Sequence, residues 1–203
     1  MHVLQVNSAP GWAGGEAHTL ALCAGLPACG CAVTLACRAG SAIAERAAAM
    51  HVPVFTPPLR HAVDLPSALQ LARFCRRQGV DVLHAHQARD YPLAALAGML
   101  APELRVVVTR HLLFPLQTGS FSRWMWRRID AVIAVSAAVR NVVAAHPDIA
   151  PEKIVMIPNG IETARFSAAS PSPLREELAL PSDARLAACA RGTAACRAAD
   201  RGR

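Results

Sequence analysis

Six short stretches carry the side chains that could do chemistry. In Ser8-Ala9-Pro10-Gly11-Trp12-Ala13-Gly14-Gly15-Glu16-Ala17-His18, two adjacent glycines let the backbone approach a ligand closely or take positive φ, because neither has a Cβ. The run follows the apolar Val3-Leu4-Gln5-Val6 and leads into a helical pattern, Ala17 to Leu26. A strand, a glycine-rich turn and a helix in that order aim N–H groups at whatever sits at the helix start. A phosphate, a carboxylate or a sugar hydroxyl fits there. Glu16 and His18 stand in the first helical turn. A ligand-free tight turn explains the same residues. The spacing Gly11-x-x-Gly14-Gly15 is not G-x-G-x-x-G, and no acidic residue closes the next apolar run at Ala36. A nicotinamide dehydrogenase is therefore disfavoured.

His84 and His86 lie two apart on a predicted strand, share a face and could chelate a metal. No third ligand has suitable spacing, so no metal site is expected, and packing or hydrogen bonding at a sheet end is the plainer role. Arg110 and His111 directly follow Val106-Val107-Val108-Thr109. At a loop start an imidazole can accept a hydroxyl proton or bind developing charge; a loop histidine bonded to backbone is the alternative. Ser136 has no G-x-S-x-G surroundings and reads first as a helix N-cap. Arg123-Trp124-Met125-Trp126-Arg127-Arg128 mixes cations with amphipathic rings. Such a segment can lie on an anionic membrane, or it can be a surface helix burying both Trp against a sheet. Pro158-Asn159-Gly160 reads as a turn, because Asn-Gly accepts positive φ cheaply.

These residues need a scaffold that collects loop starts at one edge. Apolar runs recur at Val3–Val6, Ala32–Ala36, Pro53–Thr56, Val82–Ala85, Val106–Thr109, Ala131–Val135 and Ile154–Ile157, alternating with helical patterns. Ser41 and Asp64 are candidate N-caps, Pro66 suits a first turn, and Gly79 closes the helix before the fourth run. Short continuous apolar runs mark parallel strands covered on both faces. Right-handed crossovers then give an α/β, doubly wound, Rossmann-like sheet with ligands outside the strand C-termini.

Composition sets the outer limits. The chain has 203 residues, 53% hydrophobic and only 4% aromatic, which suits a core of small side chains. Five arginines against one aspartate in the last nineteen residues supply four of the seven net positive charges, so no nucleic-acid partner is expected. Cys23, Cys29, Cys31, Cys37, Cys75, Cys189 and Cys196 form an odd set without a C-x-x-C pair, and reduced, buried thiols are the expectation. Without a visible secretory signal or a run of about 18 apolar residues, the chain is expected in the cytoplasm, with peripheral contact at the inner face of the membrane as an option.

Taken jointly, five segments resemble the N-terminal half of the GT-B glycosyltransferases, specifically retaining glycosyltransferase family four. They are Gly14-Gly15-Glu16 with its helix, Val80 to His86, Val106 to His111, Asp130 to Ser136 with Val139, and Lys153 to Glu162 with Phe166. The resemblance implies sugar transfer from a nucleotide-activated donor to a glycan or lipid-linked acceptor, with no cofactor beyond that co-substrate. It places His111 at the transfer site. Gly14, Gly15, Glu16, His18, His86, Arg110, Ser136 and Asn159 become donor- or acceptor-binding candidates, and Arg123, Trp124, Trp126, Arg127 and Arg128 membrane-contact candidates. The implied organisation is an acceptor-side domain over 1–166, a linker and vestigial donor-domain start over 167–186, and an unstructured Arg/Ala-rich tail over 187–203. The family pattern continues beyond Pro181 with a strand and a Glu-Lys-Gly type loop, whereas this chain reads Ala187-Ala188-Cys189-Ala190-Arg191-Gly192-Thr193. A truncated or frameshifted product, inactive alone, is the expectation. A non-catalytic sugar- or membrane-surface module and a fragment of a GT-B sugar-nucleotide epimerase are the alternatives.

Overall fold

A computed structural model describes residues 1–161, 163 and 177–179. The expected linker and tail, and Phe166, lie outside the described residues apart from 177–179. The chain divides after Asn159, and every strand named below lies in the first unit, Met1–Asn159.

Among the described residues seven strands form one sheet: β1 (His2–Asn7), β2 (Ala32–Cys37), β3 (Val54–Phe55), β4 (Val82–Ala85), β5 (Arg105–Arg110), β6 (Ala131–Ala134) and β7 (Ile154–Met156). Their order is β3-β2-β1-β4-β5-β6-β7, and all neighbours pair in parallel. The doubly wound sheet is as expected. Strand order reverses between β1 and β4, so the loops leaving these two strands part and open a crevice at their C-terminal ends.

Among the described residues six α-helices connect the strands: α1 (Gly14–Gly25), α2 (Ala42–Ala49), α3 (Leu65–Gln78), α4 (Tyr91–Leu100), α5 (Ser120–Arg128) and α6 (Ala137–Ala144). Their ends follow local chemistry. Ser41, Asp64 and Ser136 accept hydrogen bonds from the N–H groups of Ala44, Ser67 and Val139, satisfying donors at the starts of α2, α3 and α6. Gly79 takes φ 61° to close α3. Between Pro53 and Pro57, which lack an N–H, β3 is only two residues long. At α1 the expectation needs correction. Gly14 and Gly15 are the first helical residues, not loop, and neither has positive φ.

Alternation along the strands sends side chains into two cores. Leu35 joins Leu20, Cys23, Ile43 and Ala47 on one face, while Ala36 joins the larger core of the other face with Leu4, Val6, Leu83, Leu93 and Val106. Cys23, Cys37 and Cys75 are buried thiols, but Cys29 is exposed and Cys31 half-buried, because both fall in the turn between α1 and β2. Burial pushes the Cys23 and Cys75 thiols up to about 12, so neither is a reactive thiolate.

Helix α4 lies hard against β5. A Cβ at Gly98 would stand 2.6 Å from Val106 Cγ2 and 3.4 Å from Arg128 Nε, whose guanidinium also binds the Gly98 carbonyl. Gly98→Ala should therefore destabilise the fold by about 1–3 kcal/mol despite alanine's better helix propensity, read as a lower urea midpoint. An unchanged or higher midpoint would show that α4 can lift off β5 freely.

Candidate functional site

The crevice between β1 and β4 is built from polar residues that share one side of the sheet. Leu4, Val6, Leu83, Ala85, Val106 and Val108 point into the larger core, so Gln5, His84 and Thr109 point to the opposite face. Gln5 pairs in register with His84. His84 Nε2 and Thr109 Oγ1 are hydrogen-bonded at 2.7 Å, and His86 Nε2–H donates to Gln5 Oε1 at 2.6 Å. Both imidazoles are buried, with rings 4.2 Å apart. His84 is thus a hydrogen-bonding residue at the sheet end, as its plainer reading had it.

The start of α1 is held over this edge by one carboxylate. Glu16 Oε2 accepts the Ala13 N–H at 2.8 Å, and Oε1 accepts from Gln87 Nε2 at 2.6 Å and Asn7 Nδ2 at 3.4 Å. Asn7 Nδ2 also donates to Thr19 Oγ1, which donates back to the Gly15 carbonyl. Glu16 is buried with both oxygens engaged, so it positions the turn and is not itself free for a ligand. Gly14 is exposed with nothing within 4 Å of a Cβ built there, and Gly15 is half-buried with Gln87 Nε2 at 3.5 Å from its Cβ position. Neither glycine is required by the protein's own packing or dihedrals. The space above them stays open beside the first-turn N–H groups, which have no intrahelical carbonyl.

His18 and His111 complete the site. Their rings meet edge to face at 5.1 Å, and they stand 5.8 and 6.2 Å from His86. One ring nitrogen from each of His18, His86 and His111 lies within 4.8 Å of the others. The third imidazole that no local spacing supplies is brought in by folding. Burial holds His84 at about 3 and His111 at about 4, and drives His86 well down and His18 down, with neighbouring imidazoles adding to the effect except at His18. All four rings are neutral at pH 7.

The other candidates scatter. Arg110 is buried; it donates to the Phe114 carbonyl at 2.6 Å, beside a cavity of about 410 Å³ lined by Arg89, Tyr91, Leu116, Phe121 and Trp126. Arg110 Nε and Trp126 Nε1 have no hydrogen-bond partner among the described residues. Ser136 serves as the α6 cap. Asn159 is exposed beyond β7, two strands from β5 and so about 10 Å from it across the sheet. Trp126 is buried against Tyr91 and His146, and this corrects its place among membrane contacts. Trp124 is half-buried against the exposed Phe121. Arg123 pairs with Asp148 at 2.9 Å, Arg128 binds main-chain carbonyls, and Arg127 is exposed. No helix of the described residues is long and apolar enough to cross a membrane.

Sequence reasoning passed over Gln5, Asn7, Gln87, Asp90 and Thr109. The available signal was a glutamine inside an apolar strand pattern, where an amide is costly unless partnered. Asp90 is buried, accepts the Ser8 N–H at 3.0 Å, and is raised to about 6 by desolvation.

These shifts fix a pH dependence. The histidines bind fewer protons folded than unfolded, so their contribution is complete above about pH 6.5 and falls as pH drops toward 4. Asp90 acts oppositely: its folded value is raised, so its burial costs stability at pH 7 and ceases to do so below about 4. Asp90→Asn should therefore steepen the loss of stability between pH 7 and 4, measured by urea unfolding. Parallel wild-type and variant curves would refute this assignment.

Comparisons with known proteins bear on this geometry. Residues 12–165 match the profile of Glycosyltransferase Family 4. A glycosyltransferase from Rickettsia africae is 20% identical with a TM-score of 0.73, over 90% of this chain and 50% of that one. The Anabaena protein HepE, crystallised with UDP-glucose, is 19% identical with a TM-score of 0.68, over 88% and 50%. A putative UDP-N-acetylglucosamine 2-epimerase from Listeria monocytogenes is 11% identical with a TM-score of 0.53, over 75% and 44%. The chain thus spans about half the length of these structures, and likeness at such identities shows the shared fold alone. No curated protein matches the chain.

Proposed function

The chain belongs to glycosyltransferase family 4, and from that membership we propose that it forms the acceptor-side lobe for transfer of a sugar, of hexosyl type, from a nucleotide-activated donor to a glycan or lipid-linked acceptor. The observation that carries this is the open start of α1 at Gly14-Gly15, on the helix whose His18 ring meets His111 edge to face at the β1/β4 crevice. A helix start favours negative charge, so a donor phosphate or an acceptor oxygen is stabilised there. His111 is neutral, and it accepts or donates one hydrogen bond to a sugar hydroxyl at the point of transfer. The His18 and His86 rings stand 5.1 and 6.2 Å from that ring. The HepE complex with UDP-glucose supports a nucleotide sugar as co-substrate. The cavity lined by Leu116 and Phe121, beside the buried Arg110 and Trp126, offers the acceptor an apolar wall.

Transfer needs both substrates oriented in one water-poor cleft, and such orientation lowers a barrier by roughly 7–11 kcal/mol. One lobe leaves the crevice open to solvent. Turnover therefore requires a second, donor-binding lobe opposite, on this polypeptide or another. The expected outcome is negligible transfer by the 203-residue chain in a screen of sugar nucleotides with glycan and lipid acceptors, and transfer when a donor-binding domain is supplied. In that restored system His111→Ala should lower kcat by about 10²-fold or more. Gly14→Ala should weaken substrate binding while leaving thermal stability intact, since its Cβ meets only open space. Transfer by the single lobe, or a His111→Ala variant as active as the parent, would overturn the proposal.

A membrane-surface role has its own support. Leu112, Leu113, Phe114 and Phe121 are exposed on the loop and helix following His111, with Arg127 close in sequence. Apolar side chains beside cations suit an anionic bilayer surface. Sedimentation with anionic vesicles should fall severalfold in Phe121→Ala/Trp124→Ala. Equal sedimentation of parent and variant would dismiss this role.

A further inference from the structure

The imidazole cluster has a property that sugar transfer does not use. His86 Nε2 donates to Gln5 Oε1, so with the amide as it stands the ring's proton is on Nε2 and Nδ1 keeps its lone pair. That Nδ1 is buried and has no hydrogen-bond partner among the described residues, and the same holds for His111 Nε2. An unpartnered buried nitrogen is costly unless something occupies it. His86 and His111 belong, with His18, to the group of three imidazoles of which one ring nitrogen each lies within 4.8 Å of the others. The Gln5 oxygen on the far nitrogen of His86 is the kind of outer partner that orients a metal-ligating imidazole and raises its basicity.

We propose that His18, His86 and His111 form a three-imidazole site for a divalent transition-metal ion, Zn²⁺ by choice of ligand and geometry, at the C-terminal ends of β1, β4 and β5. Neutral nitrogen donors suit this ion, and three of them leave a fourth position for water or an oxygen ligand. Bonds of about 2.0–2.1 Å in a tetrahedral site require nitrogens about 3.3 Å apart, so the rings must close by about 1.5 Å. Two can move: His18 and His111 are half-buried, whereas His86 is fixed by Gln5. His84 stays outside the set because its Nε2 is held by Thr109. Metal binding rests on these side chains alone. One consequence does rest on the proposed transfer: a bound ion removes His111 from the sugar hydroxyl and inhibits.

The test needs no sugar. The full chain, stripped with chelator, is titrated with Zn²⁺ by calorimetry and with Co²⁺ by visible absorption. One ion per chain is expected, with the intense bands of a four-coordinate site. His18→Ala and His111→Ala should each weaken affinity at least tenfold, while His61→Ala, which removes an exposed imidazole elsewhere, changes nothing. Because His18 and His111 are half-buried, circular dichroism should show both variants folded. Gln5→Leu adds a readout, an affinity loss of about tenfold with the ligands intact. No saturable one-to-one binding, or binding that survives His18→Ala/His111→Ala, would overturn the proposal. Either result leaves the glycosyltransferase assays untouched.

Discussion

The site depends on the Glu16 carboxylate. Its two oxygens gather the Ala13 N–H at the helix start, the Asn7 amide at the end of β1 and the Gln87 amide after β4. Three segments that diverge at the switch point are thereby tied to one anion. A buried carboxylate is tolerable only with such donors around it, and the same donors would be unsatisfied without it. The consequence is geometric. With Glu16 inside, Gly14 stays exposed and Gly15 half-buried at the start of α1.

The second constraint is desolvation without charge. Four histidines gather at one end of the sheet, a collection that would repel itself if ionised. Burial keeps them neutral, and neutral rings pack edge to face and accept single hydrogen bonds. The cost is acid sensitivity; the gain is a set of neutral imidazole nitrogens gathered at the ends of β4 and β5. Around it the fold spends its amphipathic residues unevenly. Trp126 and Arg128 hold α5 onto α4, while Phe121 and the chain from Leu112 to Phe114 remain exposed.

Family membership and half-length coverage fit together physically. A doubly wound sheet binds ligands at an open edge, and one such edge encloses nothing. In the proposed function the residues on the β1/β4 edge hold and orient, and a facing surface completes the cleft and excludes water. The same fold in a putative epimerase shows that the sheet does not by itself choose the chemistry.

Much was legible from local pattern. Seven apolar runs became seven strands, and Ser41, Asp64, Gly79 and Ser136 ended helices where their side chains or permissive backbone require it. These features depend on neighbours a few residues away, which sequence displays directly. The glycine pair was located but misassigned to loop, since whether a helix begins at Gly14 or Glu16 depends on where Glu16 finds its partners, up to 71 residues distant. Likewise the cluster of His18, His86 and His111, the burial of Trp126 and the pairing of Gln5 with His86 come from strand register and helix packing. Sequence alone determined the elements and the kinds of side chain at their ends. Tertiary structure decided which of those side chains meet, because parallel strands bring together residues that no local spacing connects.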